Sequence, residues 1–426
     1  MIKNFSKVKS VKGELNLTGD KSISHRAIIF SGMASGKSSI TNLSQGHDVI
    51  STLVLMHNLG AGVLTKNRSV IINGLGYKGF EAPSSELYCG NSGTTARLIS
   101  GLLAVQKFSS KLTGDESLSK RPMKRVIEPL KKMGAQFITN ENYTLPFTIN
   151  PAEKTINITY EMPVASAQVK SAILIAGLHS EDETTIIEKD RTRNHTELML
   201  GLPVKTENEK IISSSSLKYY PSANEYFIPG DISTSAFHIV LTLLTSDSEL
   251  KINNVSLNPT RTGFIEVLKK MGADIKYEDI KFSSNEPYGN VIVKSSVLKN
   301  IKINSDIIPN IIDEIPILTI AGIFADGDFE IRNAKELRVK ESDRIKSLCY
   351  NLNLLGLDID EFDDGFIISG GIKKSDLSFQ SFNDHRIAMT FAILSMLLES
   401  GGEVNDFECV SISNPKFENQ INSIIQ

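Results

Sequence analysis

The sequence is poor in the residues from which metal and redox sites are built. Only three cysteines occur among 426 residues, Cys89, Cys349 and Cys409, and their wide spacing offers no CxxC or CxH pair for zinc or an iron-sulfur cluster. Such sparse cysteine fits a reducing compartment. The seven histidines, at 25, 47, 57, 179, 195, 238 and 385, show neither HxxxH nor HxH spacing, so no metal and no cofactor is expected. Long apolar runs are scarce too. The longest, Ile387 to Leu398, falls short of the roughly 20 residues a membrane span needs and reads as a buried core helix. Lys3, Lys7 and Lys9 near the start lead into no apolar stretch, which argues against a signal peptide. A cytoplasmic protein without a membrane partner is expected.

Charge of one sign is also missing. With 46 Lys and Arg against 49 Asp and Glu, the formal net charge is -3. The chain therefore has no overall basic field to draw nucleic acid, and any anion site has to be built locally. What is present is ample apolar material, 40% of the chain, at a length that suits two domains better than one.

A repeat runs through that material. Leu-Lys-Lys-Met-Gly-Ala occurs at Leu130 to Ala135 and again at Leu268 to Ala273. Looser copies end at Gly60, Gly201 and Gly356. Each copy is an apolar-periodic segment closed by glycine and continued by an alternating one, a helix with a left-handed cap feeding a strand. The period is about 70 residues, too long for solenoid rungs, and the chain holds six such units. They read as small α/β subdomains.

A second signature, Gly-Asp-x-Ser-x-Ser, stands at Gly19 to Ser24, Gly114 to Ser119 and Gly230 to Ser235. Asp and Ser there are ordinary helix caps, so the interest of each copy depends on the residues just after the cap. Lys21-Ser22-Ile23-Ser24-His25-Arg26 places cations and hydroxyls on the first turns of a helix, whose free N–H groups already favour an anion. Cys89 to Arg97 is a Gly/Ser/Thr turn running into an apolar helix from Leu98 to Val105, and Gly93 leaves room for a small ligand. Lys120-Arg121-Pro122-Met123-Lys124-Arg125 carries four cations in six residues. A solvated surface would explain that run equally well.

Farther along, Lys335 to Gly356 reads as one helix with Leu337, Lys340, Glu341 and Arg344 on a shared face. An exposed lattice of ion pairs is the alternative. Asn383-Asp384-His385-Arg386 caps the apolar helix beginning at Ile387, and Lys416 lies after the Asn414-Pro415 turn. Asp313-Glu314 interrupts the apolar run from Ile311 to Ile323, where an acid has either a fixed partner or a chemical task. Two likenesses fail by context. Gly74 to Gly79 has the letters of a dinucleotide fingerprint but no helix pattern after it. Gly32 to Ser38 lacks the leading glycine of a phosphate loop.

Taken together, Gly19 to Arg26, Gly90-Asn91-Ser92-Gly93-Thr94, Arg121-Pro122-Met123, Ser166-Ala167-Gln168, Lys340 to Arg344 and Asp384-His385-Arg386 resemble the motifs of the 5-enolpyruvylshikimate-3-phosphate synthases, in the family's order and over nearly the whole chain. The resemblance implies an α/β fold of two inside-out α/β barrels, with six βαβαββ repeats, three per domain. It places one domain at residues 21–230 and the other at residues 1–20 plus 231–426, with the active site in the cleft between them and closure on ligand binding. It implies transfer of the enolpyruvyl group of phosphoenolpyruvate to the 5-hydroxyl of shikimate 3-phosphate through a tetrahedral intermediate. These two metabolites would be the partners of an expected monomer.

Carried over residue by residue, the resemblance gives shikimate 3-phosphate to Lys21, Ser22, Arg26, Ser166, Ala167, Gln168, Arg193, Asp313 and Lys340. It gives phosphoenolpyruvate to Lys21, Asn91, Gly93, Thr94, Arg121, Gln168, Arg344, Arg386 and Lys416. Lys21, Asp313 and Glu341 would be catalytic. Ala167 stands where some members have serine, and Arg193 would replace another serine contact to phosphate, as in the second of the family's two sequence flavours. Gly93 is the residue of members inhibited by glyphosate. The rival readings are the sister enzyme that uses UDP-N-acetylglucosamine, which typically opens with Lys-Asn instead of Lys-Ser, and a noncatalytic repeat scaffold, which the intact set of cations disfavours.

Overall fold

A computed structural model of the chain describes residues 1–66, 69–374 and 377–426. The polypeptide divides into two compact units. The first comprises Gly19–Pro229 with Phe282–Glu286, and the second Met1–Thr18, Gly230–Lys281 and Pro287–Gln426. The short segment from Phe282 to Glu286 lies inside the span expected for the second domain, yet it groups with the first unit. Its polar groups explain why: Ser283 Oγ donates to Phe227 O at 2.9 Å and Asn285 Nδ2 to Leu198 O at 3.0 Å.

The first unit carries α1 (Lys21–Met33), α2 (His47–Asn58), α3 (Gly93–Leu103), α4 (Lys124–Lys132), α5 (Ala167–Gly177) and α6 (His195–Leu200). The second carries α7 (Ile232–Leu244), α8 (Gly263–Lys270), α9 (Ile308–Ile311), α10 (Ile315–Phe324), α11 (Arg344–Leu354), α12 (His385–Leu397) and α13 (Phe417–Asn422). Six sheets accompany them among the described residues, four of four strands and two of three. In the sheet Leu87–Tyr88, Ser110–Thr113, Phe147–Asn150, Gln136–Ile138, the first two strands are parallel and the rest antiparallel. Glu225–Phe227 pairs in parallel with Ser35–Thr41 in the first unit, and Lys12–Asn16 with Glu249–Ser256 in the second. Each repeat next to a passage of the chain between units thus takes its opening strand from a distant part of the sequence.

The glycine caps have a common geometry. Gly134 and Gly272 sit at φ +102° and +108°, where a side chain would be strained. Gly134 N donates to Lys131 O and Ala135 N to Leu130 O, and Gly272 and Ala273 repeat this with Lys269 O and Leu268 O. Identical letters give identical caps because the same four backbone groups have to be satisfied.

Five helices are buried over most of their length. α1 buries every residue from Ile23 to Met33, α5 every residue from Val169 to Gly177, and α7 every residue from Ile232 to Leu243. α3 exposes part of Thr94 and Arg97, and α12 part of Arg386 and Leu397. Two separate apolar cores form around these helices, one per unit. Among the described residues no single helix is long and apolar enough to cross a membrane.

The expected helix from Lys335 to Gly356 is broken. A short 3-10 turn covers Lys335–Val339, Lys340 is extended, and α11 starts at Arg344. Asp343 is the cause, since its Oδ1 accepts from Lys346 N at 3.0 Å as an N-cap while Arg338 Nη1 holds its Oδ2 at 2.9 Å. The apolar run from Ile311 to Ile323 is likewise two helices, with Asp313 and Glu314 in the break.

Candidate active site

Many of the residues singled out from the sequence lie at the N-terminal ends of buried helices, where uncompensated N–H groups meet the surface. In the first unit Asp20 caps α1, its Oδ1 accepting from Ile23 N at 2.9 Å, a bond worth about 1 kcal/mol. That cap fixes Lys21 and Ser22 on the opening turn. Lys21 Nζ donates to Asp48 Oδ2 at 3.0 Å, from the first turn of α2. One turn deeper Arg26 is buried and fully engaged: Nε donates to Thr196 Oγ1 at 2.8 Å, Nη2 to Ser171 Oγ at 2.6 Å and Nη1 to Ser22 O at 2.9 Å. Burial draws its pKa down to about 10, against the opposing pull of Glu197, Glu286 and Asp20, so it remains a cation at neutral pH.

Ser92 caps α3, and Gly93 is the first residue inside it. A Cβ on Gly93 would lie 2.9 Å from Arg97 Nη1 and 3.4 Å from Arg121 Nη1. The missing side chain therefore keeps a space open beside two guanidinium groups. Arg121 Nη2 donates to Asn91 Oδ1 at 2.7 Å, and Asn91 Nδ2 donates to Asp115 Oδ2 at 2.7 Å. Asp115, from the second Gly-Asp signature, so sets the amide that sets Arg121. Gln168, on the opening turn of α5, accepts from Arg97 Nη1 at 2.6 Å and donates to Thr94 Oγ1 at 2.9 Å. Ser166 caps that helix.

A buried chain of hydroxyls ties these entrances together. Thr52 Oγ1 is hydrogen-bonded at 2.7 Å to both His25 Nδ1 and Thr95 Oγ1, and Thr95 Oγ1 in turn to Ser92 Oγ at 2.7 Å. Burial, with Lys21 and Arg26 nearby, holds His25 well below its ordinary pKa. The basic run after Ser119 divides in two. Lys120 pairs with Glu116 at 2.6 Å and Lys124 with Glu128 at 3.6 Å, all well exposed, whereas Arg121 is 8% exposed.

The second unit gathers its charge around Arg344. That guanidinium donates from Nε to Asp384 Oδ2 at 2.8 Å, from Nη2 to Glu341 Oε2 at 2.6 Å and from Nη1 to Asp313 Oδ1 at 3.3 Å. Burial opposes its charge, but Asp384, Glu341 and Asp313 outweigh that and raise its pKa. Lys340 Nζ lies 3.3 Å from Asp313 Oδ1. Arg386 Nη1 donates to Asp313 O at 2.7 Å and stands 3.6 Å from Glu314 Oε1. Glu341, though off the helix, still reaches Arg344, and Lys340 reaches Asp313 beside it.

The candidates thus fall into two groups, one on each unit. Lys21, Ser22, Arg26, Asn91, Gly93, Thr94, Arg121, Ser166, Ala167, Gln168 and Arg193 belong to the first, and Asp313, Lys340, Glu341, Arg344, Arg386 and Lys416 to the second. Lys416 opens α13 and forms no ion pair among the described residues. Sequence reading missed Arg97, Asp115 and Asp384 as members of these networks. Arg97 closes the Gly/Ser/Thr turn and Asp384 opens the Asp-His-Arg motif, so both stood inside quoted motifs but read as a helix residue and a cap.

Such an arrangement has the cations to suit multiply charged anions and the carboxylates to suit proton transfer. Charged and polar groups gathered at helix entrances, in two units each built of small α/β repeats, match the class of the enolpyruvyl transferases. The solved enolpyruvyl transferase NikO from Streptomyces tendae shares the fold, with a TM-score of 0.75 over 100% of this chain and 97% of that one at 12% identity. An EPSP synthase from Acinetobacter baumannii matches with a TM-score of 0.85 and 41% identity over 99% of this chain and 97% of that one. The 3-phosphoshikimate 1-carboxyvinyltransferase of Petrotoga mobilis is 46% identical over 96% of each chain, and that of Thermodesulfovibrio yellowstonii 44% over 97% of each. The family model for EPSP synthase (3-phosphoshikimate 1-carboxyvinyltransferase) matches residues 5–421. The chain belongs to that family, and its reaction is enolpyruvyl transfer in the shikimate pathway.

Proposed function

We propose that the residues at the helix entrances divide the two substrates between them. Lys21, Ser22, Arg26, Ser166 and Arg193 take shikimate 3-phosphate, joined by Asp313 and Lys340. Arg121, Gln168, Arg344 and Arg386 take phosphoenolpyruvate, with Gly93 giving it room. The pairing of Arg344 with three carboxylates carries this reading: a guanidinium 1% exposed is held in one orientation by the protein's own groups. Its planar fork suits a carboxylate and a phosphate held side by side.

The chemistry needs one proton delivered to the methylene carbon of phosphoenolpyruvate and one removed from the 5-hydroxyl of the acceptor. The hydroxyl oxygen adds to the central carbon as the methylene carbon takes up its proton, giving a tetrahedral intermediate with a methyl group; that methyl then loses a proton as the C–O bond to phosphate breaks, leaving the enol ether and free phosphate. Glu341 and Asp313 serve these transfers. Lys21 assists at the reacting carbon. Two carboxylates in different surroundings can work in opposite directions: Glu341 bonds Arg344, while Asp313 is met by Lys340, Arg344 and Arg386.

Steady-state kinetics of Arg121→Ala and Arg193→Ala test the division. Arg121→Ala is expected to raise KM for phosphoenolpyruvate and Arg193→Ala that for shikimate 3-phosphate, each by about tenfold or more. The opposite assignment of the two effects would overturn it.

A further inference from the structure

Lys170 is almost wholly buried, at 1% exposure, one turn after Ser166. Its Nζ lies 2.7 Å from Glu188 Oε2 and 2.7 Å from Glu197 Oε1, and both acids are 2% exposed. Glu188 ends the strand Thr184–Glu188, Glu197 lies in α6, and the loop with Arg193 runs between them. Thr192, next to Arg193, donates its hydroxyl to Glu188 Oε1. On the far side Thr196, adjacent to Glu197, accepts from Arg26 Nε at 2.8 Å. Lys170 also meets the entrance of α5 through its backbone, its N–H donating to Ser166 O at 3.1 Å.

We infer that Lys170 is a positioning residue for the acceptor substrate: clamped between Glu188 and Glu197, it locks the entrance of α5 with Ser166, the loop with Arg193, and the Thr196 anchor of Arg26 into one arrangement. The inference rests on the reading of Ser166, Arg193 and Arg26 as the shikimate 3-phosphate contacts. A buried lysine is costly unless paired. A methionine there would fill the same space more cheaply, so the charge has a role beyond packing. Its geometric effect is specific, because the three elements it joins each carry a proposed contact to one substrate.

Removing the ammonium leaves two carboxylates facing each other without it. Of the charged groups around them, Arg26 on α1 is the cation that acts on Glu197, while Arg193 and Asp20 act on Arg26, and Glu286 with its partner His195 stands behind. Burial works against the Lys170 charge, but Glu197 and Glu188 outweigh it and raise its pKa, so the clamp holds through neutral pH in the native protein. Without it, one carboxylate of the pair takes up a proton at low pH and loses it as pH rises. The ionised pair then competes with Thr196 and Ser171 for Arg26.

The test measures KM for both substrates across pH 6 to 9 in the native enzyme and in Lys170→Arg, Lys170→Met, Glu188→Gln and the double variant Lys170→Met/Glu188→Gln. In Lys170→Met, KM for shikimate 3-phosphate is expected to rise about tenfold, as for coupled members of one ion network, with little change for phosphoenolpyruvate. That rise should grow with pH. The double variant, which removes one carboxylate, should lose the pH dependence, and Lys170→Arg should retain much of the native affinity. Unchanged KM for shikimate 3-phosphate in Lys170→Met, or equal increases for both substrates, would overturn the inference. Should Lys170→Met fail to fold, Glu188→Gln decides: native affinity for shikimate 3-phosphate there overturns it. Arg193→Ala, run alongside, separates the two claims. If Arg193→Ala binds the acceptor normally the substrate assignment falls and the inference with it; if Arg193→Ala weakens binding and Lys170→Met does not, only the inference falls.

Discussion

Arg344 Nε donates to Asp384 Oδ2 at 2.8 Å, with the two side chains 1% and 0% exposed. Asp384 also caps α12 through Arg386 N at 2.9 Å, so one carboxylate orients the guanidinium and sets the helix turn that carries Arg386. Removing one partner of a buried pair costs about 3 to 5 kcal/mol where the other is left uncompensated. Here Glu341 and Asp313 remain to share the charge. Asp384→Asn is therefore expected to fold, and to lower kcat/KM for phosphoenolpyruvate by roughly 100-fold through loss of orientation. Kinetics with each substrate varied in turn check this.

Arg344→Lys should fare no better. An ammonium cannot reach Asp384, Glu341 and Asp313 at once in the fork geometry of the guanidinium, and a loss of kcat/KM at least as large is expected. Activity near native in Arg344→Lys would show that charge alone suffices.

Glu341→Ala and Asp313→Ala are expected to lower kcat by about 100-fold or more, the usual scale for a lost proton-transfer group. Binding of shikimate 3-phosphate should largely survive in Glu341→Ala, as titration calorimetry would show. Near-normal turnover in both would remove them from the chemistry.

Much of the fold and the site was legible in the amino-acid sequence. The identical Leu-Lys-Lys-Met-Gly-Ala segments announced identical helix caps because a left-handed residue after a helix has few substitutes for glycine. Lys21, Arg121, Arg344 and Arg386 were legible as a set through the family resemblance, not through spacing. The break at Asp343 was not, since a capping aspartate inside a helical period looks like any polar surface residue until its partner, Arg338, is placed. The strand partners Glu225–Phe227 and Lys12–Asn16 were equally hidden, because pairing across such sequence distance leaves no local pattern. The Lys170 clamp lay in plain letters, but its two acids join it only through the fold.

Gly93 should make the enzyme sensitive to glyphosate, competitively with phosphoenolpyruvate. In Gly93→Ala the new methyl presses on the far end of Arg97 at 2.9 Å, a flexible group, so folding should persist while inhibition weakens and KM for phosphoenolpyruvate rises. Inhibition curves for both proteins at several phosphoenolpyruvate concentrations check this; no inhibition of the native enzyme at millimolar glyphosate would refute it.

Three buried histidines make stability depend on acid. Burial lowers His179 and His238 to about 4, and burial with Lys21 and Arg26 holds His25 well below its ordinary value. Unfolded, each returns to about 6.5. Between those limits the unfolded chain binds more protons, so stability rises with pH. The contribution is fully present above about 6.5 and is lost as pH falls toward about 4. The melting temperature should drop between about pH 7 and about pH 5, and His238→Gln should flatten that slope. An equal slope in the variant would remove His238 from the cause.

Phosphate release tests the central claim most directly. Purified protein mixed with phosphoenolpyruvate and shikimate 3-phosphate should release phosphate stoichiometric with enol ether, release none with UDP-N-acetylglucosamine as acceptor, and lose the activity when Arg344 or Arg121 is replaced by alanine. Native rates in both arginine variants, or release with the nucleotide sugar instead, would contradict it.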